Sequence, residues 1–232
     1  MTDVIAANTL SLDRLEAGSS GTLRITEIFR SLQGEADHIG WPTVFVRLTG
    51  CPLRCVYCDT AYAFTGGERV SIDAILARVA EFDTRHVCVT GGEPLAQPAC
   101  LDLLTGLVDA GHVVSLETSG AMDVAAVDPR VHIVMDLKTP SSGEVERNRW
   151  ENLAHLKPDD EIKVVIGSRT DFDWAVARVR EHELCSRFPV LFSPVFEGVS
   201  PHELAEWILA TGLEIRFQMQ LHKLIWGDEP GR

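Results

Sequence analysis

Three thiols stand within one short stretch, Cys51-Pro-Leu-Arg-Cys55-Val-Tyr-Cys58. Three thiolates can bind three irons of a 4Fe–4S cube and leave the fourth iron open to a substrate or cofactor, whereas a fourth Cys closes a cluster meant for electron transfer. Zinc is the rival metal. It needs four ligands, no second Cys pair exists, and His38 or His86 would have to complete the set. Cys88 sits in the apolar run 87–89 and reads as core. Cys100 and Cys185 fall on helical patterns and read as structural. A second motif, Thr90-Gly91-Gly92-Glu93-Pro94, combines glycines that permit close backbone approach with a carboxylate that can accept from an ammonium group. Gly66-Gly67 and Gly91-Gly92 lack the spacing of a dinucleotide fingerprint.

The elements that must position these residues follow from periodicity. Short apolar runs predict strands over 23–29, 43–48, 86–90, 113–118, 131–136, 161–166, 189–193 and 214–220. Between them, stripes at helical spacing predict helices over 72–79, capped by Ser71, over 101–108, stopped by Gly111, and over 172–179. Ser200-Pro201-His202-Glu203 reads as a capping box opening a helix that Gly212 ends, and a short helix is expected over 150–156. Residues 119–130 are too turn-rich for a crossover helix. Strands alternating with helices imply a mainly parallel α/β sheet. A complete eight-fold barrel takes ~250 residues, so the expected fold is a single-domain, incomplete TIM-like barrel over 22–232, with a flat doubly wound sheet as the alternative. Residues 1–21 read as a flexible arm.

The polar residues cluster just after strands. Cys51–Cys58, Gly91–Glu93, Glu117–Gly120, Asp136–Lys138, Ser193-Pro194 and Gln220–Lys223 all do so. In a parallel sheet those ends share one face, the usual place for a site. The net charge of −13 argues against non-specific nucleic-acid binding. No apolar run approaches the ~20 residues of a membrane span, and the N-terminus reads as no secretory signal. The uneven Cys distribution suits a reducing cytoplasm.

Cys-x3-Cys-x2-Cys with Tyr57 before the third Cys, followed by Thr90-Gly-Gly-Glu-Pro94, resembles the two hallmarks of the radical SAM superfamily. Further segments resemble the 7-carboxy-7-deazaguanine synthase family: Ser31–Glu35, Val44–Arg47, Gly50–Pro52, Cys58–Thr60, Leu116–Gly120, Glu161–Lys163 and Gln220–Lys223. The resemblance implies a shortened barrel that works as a homodimer. It implies conversion of 6-carboxy-5,6,7,8-tetrahydropterin to 7-carboxy-7-deazaguanine with loss of ammonia, in the 7-deazapurine pathway to the tRNA base queuosine. The implied cofactors are a 4Fe–4S cluster, S-adenosylmethionine and Mg²⁺, with an electron donor such as flavodoxin. No nucleic-acid or membrane partner is expected. The competing readings are another small radical SAM enzyme, such as a glycyl-radical activase, and a zinc-binding interaction module.

Residue by residue, the resemblance implies that Cys51, Cys55 and Cys58 hold the cluster, and that Thr60 bonds Mg²⁺. Gly91, Gly92, Glu93, Ser119, Asp136, Lys138 and Ser193 would bind S-adenosylmethionine. Gln33, Gly34, Glu35, Arg47, Thr90, Glu117 and His222 would bind the pterin. The chemistry suits those roles. Glu117 can accept two N–H groups of a guanine-like edge. Gln33 can donate and accept. Arg47 lies on the face of its strand opposite Val44, Val46 and Leu48, where it can clamp a carboxylate bidentately, and His222 can add a hydrogen bond. The chain departs from the family in carrying Asp136-Leu137-Lys138 where many members have Ser-Pro-Lys, Ala36 where Gly is usual, and Ser119 where Asn is common.

Overall fold

Alternate residues of the central strands fall on two faces, and each face has found a different environment. A computed structural model of the chain describes residues 21–232 except 197, 228, 230 and 232. The expected arm lies outside the described residues apart from Gly21, whose carbonyl accepts from Ile72 N–H at 3.0 Å. The strands are β1 (Thr22–Leu32), β2 (Pro42–Leu48), β3 (Glu68–Ser71), β4 (His86–Gly91), β5 (Val113–Thr118), β6 (His132–Leu137), β7 (Glu161–Ile166), β8 (Val190–Pro194) and β9 (Ile215–Phe217). The helices are α1 (Ile72–Ala80), α2 (Cys100–Asp109), α3 (Arg169–Glu181), α4 (Leu184–Arg187), α5 (Pro201–Thr211) and α6 (Leu221–Trp226).

Among the described residues, nine strands form one sheet in the order β3-β1-β2-β4-β5-β6-β7-β8-β9. From β2 to β9 neighbours are parallel, while β1 is antiparallel to both β2 and β3. The two edges, β3 and β9, do not pair with each other. One cavity is nevertheless lined by residues from β1 round to α6. The sheet therefore curls into an incomplete barrel, as the length implied.

Val46, Leu48, Val89, Leu116, Met135, Val164 and Phe192 point outward into a core shared with Ile75, Val79, Leu103, Leu104, Leu107, Phe172, Val176 and Leu204 of the helices. Full burial of such a side chain contributes roughly 1.5–3 kcal/mol. The alternate residues Phe29, Phe45, Arg47, Thr90, Glu117, Asp136 and Lys163 face inward and line the cavity. The pleat thus explains why charged residues sit between strongly apolar neighbours in these strands.

Four local expectations need correction. The run over 214–220 is a strand only at Ile215–Phe217; Gln218 turns back to hydrogen-bond Ala36, and Gln220 precedes α6, which periodicity did not reveal. The expected helix over 150–156 is a 3-10 turn, Trp150–Ala154. Ser200 opens α5 without the side-chain bond of a capping box, the helix starting instead on Pro201. The strand read over 23–29 extends to Leu32 because Arg30, Ser31 and Leu32 continue its pairing with β2, opposite Val44, Thr43 and Pro42.

Candidate active site

The cavity is about 730 Å³ and opens at the C-terminal ends of the parallel strands. β2 ends at Leu48 and delivers the Cys loop to its rim, so Cys51, Cys55 and Cys58 all line it. None of the three is in a disulfide. Burial raises the Cys51 thiol above its ordinary range and pushes Cys55 up to about 11, against the attraction of the Lys138 ammonium. Both thiols are therefore protonated at neutral pH and must release protons when they ligate a metal. Tyr57, also pushed up by burial to about 12, lies 3.4 Å from the Thr139 hydroxyl.

The glycines after β4 are required by close packing. A side-chain carbon on Gly91 would strike the Leu48 backbone, and one on Gly92 would strike the Gly50 carbonyl. Without side chains there, Gly92 N–H donates to Leu48 O at 3.1 Å and Glu93 N–H to Gly50 O at 2.8 Å, locking the Cys loop against β4. Gly91 and Gly92 line the cavity with their backbone. Glu93 is fully buried behind that wall. Its oxygens accept from Leu95 N–H at 3.0 Å, Thr118 Oγ1 at 3.0 Å, Ser119 N–H at 2.7 Å and Ser119 Oγ at 2.5 Å. Its side chain thus joins the turn after β4 to the turn after β5, and does not reach the cavity.

At the end of β6, Lys138 Nζ donates to Asp136 Oδ2 at 2.9 Å. Burial would lower the Lys138 pKa, but the facing Asp136 carboxylate reverses the effect and raises it. Asp136 Oδ1 is buried and has no hydrogen-bond partner among the described residues, and Asp136 lines the cavity. Ser193 Oγ is likewise buried without a partner, but Ser193 does not line the cavity. Thr60 lies on the wall beside Cys58; its hydroxyl is 3.8 Å from that sulfur and donates to Asp59 Oδ1 at 3.3 Å.

Deeper in, Glu117 accepts from Gln33 Nε2 at 3.2 Å and from Thr90 Oγ1 at 3.1 Å. Arg47 lines the cavity, but its Nε is already paired with Glu27 at 2.6 Å, and its guanidinium lies over the rings of Phe29 and Tyr62. Gln33, Gly34 and Glu35 follow β1, and because β1 is antiparallel they enter from the opposite mouth of the barrel. There His38, on the same loop, packs against His86 and His132, with ring centroids 5.0 and 5.5 Å away. His86 and His132 begin β4 and β6. Neither His38 nor His86 can therefore complete a zinc site with cysteines at the far end.

The donor set can be compared with the cofactors the motifs imply. Three soft thiolate donors on a single loop suit iron of a cluster. An unpartnered carboxylate oxygen at Asp136 and bare backbone at Gly91-Gly92 suit a ligand carrying hydroxyl and ammonium donors. Hydroxyl and carboxylate oxygens at Thr60 and Asp59 suit Mg²⁺.

Residues 45–208 match the Radical SAM superfamily profile. The chain is 47% identical over 210 residues to a protein named 7-carboxy-7-deazaguanine synthase from Chlorobaculum tepidum, covering 89% of this chain and 96% of that one. It is 42% identical to the protein of that name from Koribacter versatilis, covering 89% of this chain and 98% of the relative. The chain belongs to the 7-carboxy-7-deazaguanine synthase family of radical SAM enzymes. A crystal structure of QueE from Escherichia coli superposes with a TM-score of 0.73 at 25% identity, over 87% of this chain and 95% of that one. The incomplete barrel is thus a radical SAM fold, and membership implies a 4Fe–4S cluster and S-adenosylmethionine.

Two charged residues that the motifs did not single out for a role support this cavity. Glu27, behind the wall, accepts from Arg47 and, at 2.8 Å, from the Tyr62 hydroxyl. Lys163 faces inward and pairs with Glu35. Its signals in the sequence are its place in the family-like segment Glu161–Lys163 and its charge between the outward-facing Ile162 and Val164.

Proposed function

We propose that the chain converts 6-carboxy-5,6,7,8-tetrahydropterin to 7-carboxy-7-deazaguanine with release of ammonia, a step toward 7-deazapurines such as queuosine. The observation that carries this reading is the juxtaposition inside one cavity: the Cys loop and Gly91-Gly92 at its rim, and Arg47, Thr90, Glu117, Gln33 and His222 on the walls beneath. A glycyl-radical activase would have to admit a loop of another protein. Walls bearing paired charges suit a small polar heterocycle instead.

When bound by the Cys51, Cys55 and Cys58 loop and by Gly91-Gly92, the cluster and S-adenosylmethionine would supply one-electron chemistry for abstracting hydrogen from the pterin. The protein's own share is orientation. Glu117 would exchange its bonds from Gln33 and Thr90 for the N–H groups of the amino-pyrimidinone edge. Arg47, steadied through Nε by Glu27, would offer its terminal nitrogens to the substrate carboxylate. His222 would add a hydrogen bond; burial lowers its pKa, so at neutral pH its ring is neutral. Gly91 and Gly92 would meet S-adenosylmethionine through backbone groups, and Asp136 through its unpartnered oxygen, with Lys138 fixing that carboxylate. Ser119 and Glu93 would shape the wall behind. Thr60 would bond Mg²⁺. An external one-electron donor such as flavodoxin, a homodimeric assembly and a reducing cytoplasm belong to the same proposal. No helix among the described residues is long and apolar enough to cross a membrane.

Anaerobic binding of the carboxylated pterin and of an analogue lacking the carboxylate tests the pose. Loss of a charge-assisted hydrogen bond costs roughly 1.5–3 kcal/mol, about ten- to a hundred-fold in affinity. Arg47→Ala is expected to narrow the preference for the carboxylated ligand, and Glu117→Gln to weaken both ligands alike. An unchanged preference in Arg47→Ala would contradict the pose.

A further inference from the structure

We propose that Lys163 is a positioning residue of the pterin site, holding the Glu35 carboxylate ionised and aimed into the cavity. The inference rests on the pterin reading above and takes Glu35, which lines the same cavity, as one of the substrate contacts that the family resemblance implies.

Glu35 reaches the cavity from the loop after β1, whereas Lys163 stands on β7, across the lumen. Lys163 Nζ pairs with Glu35 Oε2, and Gln220 Nε2 donates to Glu35 Oε1 at 2.6 Å. The two residues thus grip the two carboxylate oxygens from different elements. The same loop is tied down at both sides of Glu35. Leu221 N–H donates to Gly34 O at 2.9 Å, and Ala36 N–H donates to Gln218 Oε1 at 2.8 Å. The backbone is therefore held by 218–221, while the charge of Glu35 is held by Lys163. Lys163 is itself largely buried, which costs solvation unless anions face it. Glu35, Asp136 and Glu117 do so, and they raise its pKa against the opposing pull of burial. It is a permanent cation at neutral pH.

Glu35 lies almost wholly out of water. Burial pushes its carboxyl upward; Lys163 first, then His222 and the Gln220 bond, reverse this and hold it below the ordinary range. With Lys163 removed, burial would be opposed only by His222, neutral at pH 7, and by Gln220. The Glu35 carboxyl would then be pushed upward by burial and, once protonated, would lose its capacity to accept two hydrogen bonds from a bound pterin.

The test uses cluster-loaded, S-adenosylmethionine-bound protein and measures anaerobic binding of 6-carboxytetrahydropterin between about pH 6 and pH 9. Wild type is expected to bind with little pH dependence from Glu35. Lys163→Met is expected to bind at least about tenfold more weakly at neutral pH, with affinity recovering as pH rises and Glu35 ionises. Lys163→Arg should restore most of the loss and abolish the recovery. Because an unpaired buried carboxylate can impair folding, the same change is made in a Glu35→Gln background, where Lys163→Met should cost little more. Cluster absorbance and S-adenosylmethionine affinity serve as the controls for an intact rim. Wild-type affinity in Lys163→Met, or an equal loss in the Glu35→Gln background, would overturn the assignment. Failure of wild type to bind the pterin at all would instead refute the substrate reading.

Discussion

A cysteine's role here depends on which surface its sulfur faces. Cys51, Cys55 and Cys58 face the cavity, Cys100 is sealed beneath α2 in the helix-side core, and Cys88 is packed with Phe29 and Phe45. Iron content should therefore fall sharply in Cys55→Ala and remain at the wild-type level in Cys185→Ser, as read by metal analysis of anaerobically reconstituted protein. Retention of a full cluster in Cys55→Ala would exclude the three-thiol assignment. Thr60 makes a finer case: Thr60→Ala is expected to weaken Mg²⁺ stimulation of turnover more than S-adenosylmethionine binding, since its hydroxyl is proposed as a metal ligand alone. An unaltered magnesium titration would make Thr60 structural. The cysteine motif and Gly91-Gly92 were legible in the sequence because their chemistry is complete within a few residues. Lys163 was not, because its meaning depends on Glu35, 128 positions away. Glu93 was legible as a motif member but not as a buried strut, since Thr118 and Ser119 reach it only once β4 and β5 lie side by side.

At the scale of the element, the direction of β1 decides the outcome. Parallel strand ends were readable from alternating strands and helices, and they do share the mouth that carries the Cys loop. Antiparallel pairing of β1 was not readable, because strand polarity leaves no mark on a single strand's periodicity. It sends 33–41 to the opposite mouth, where Gln33–Glu35 reach up into the lumen and Asp37 and His38 close the base. Gly34 there abuts His222, and an added methyl would collide with that ring. Gly34→Ala is therefore expected to displace His222 and reduce kcat/KM about tenfold or more while iron content is retained. The base also sets a pH dependence. His38 and His86 have pKa values lowered by burial, with His132 and Arg85 as the next contributions, so they are neutral when folded. Their stabilisation is complete above the unfolded value and is lost as pH falls through the folded ones. His132, paired with Glu161, is shifted upward and works in the opposite sense. On acidification from about pH 7 to about pH 5.5, Tm should fall less in His38→Phe than in wild type, in thermal melts across that range. Parallel curves for the two proteins would show that His38 does not carry this dependence.

For the whole molecule, one open sheet curled around one charged cavity converts two sequence motifs and a set of scattered polar residues into a single reaction vessel. Length alone pointed to a barrel short of eight units, and the unpaired edges β3 and β9 meet that expectation. Gln220–Lys223 stood out in the sequence, but the helix it opens and its closure on Ala36 and Gly34 did not, because those contacts span most of the chain. The most direct measurement is anaerobic turnover of 6-carboxytetrahydropterin with reductant, S-adenosylmethionine and Mg²⁺, followed by mass. The expected product is lighter than the substrate by one ammonia, forms without net consumption of S-adenosylmethionine, and is absent with Cys55→Ala. Cleavage of S-adenosylmethionine with the pterin left intact would contradict the assignment, leaving a radical SAM enzyme with a different substrate.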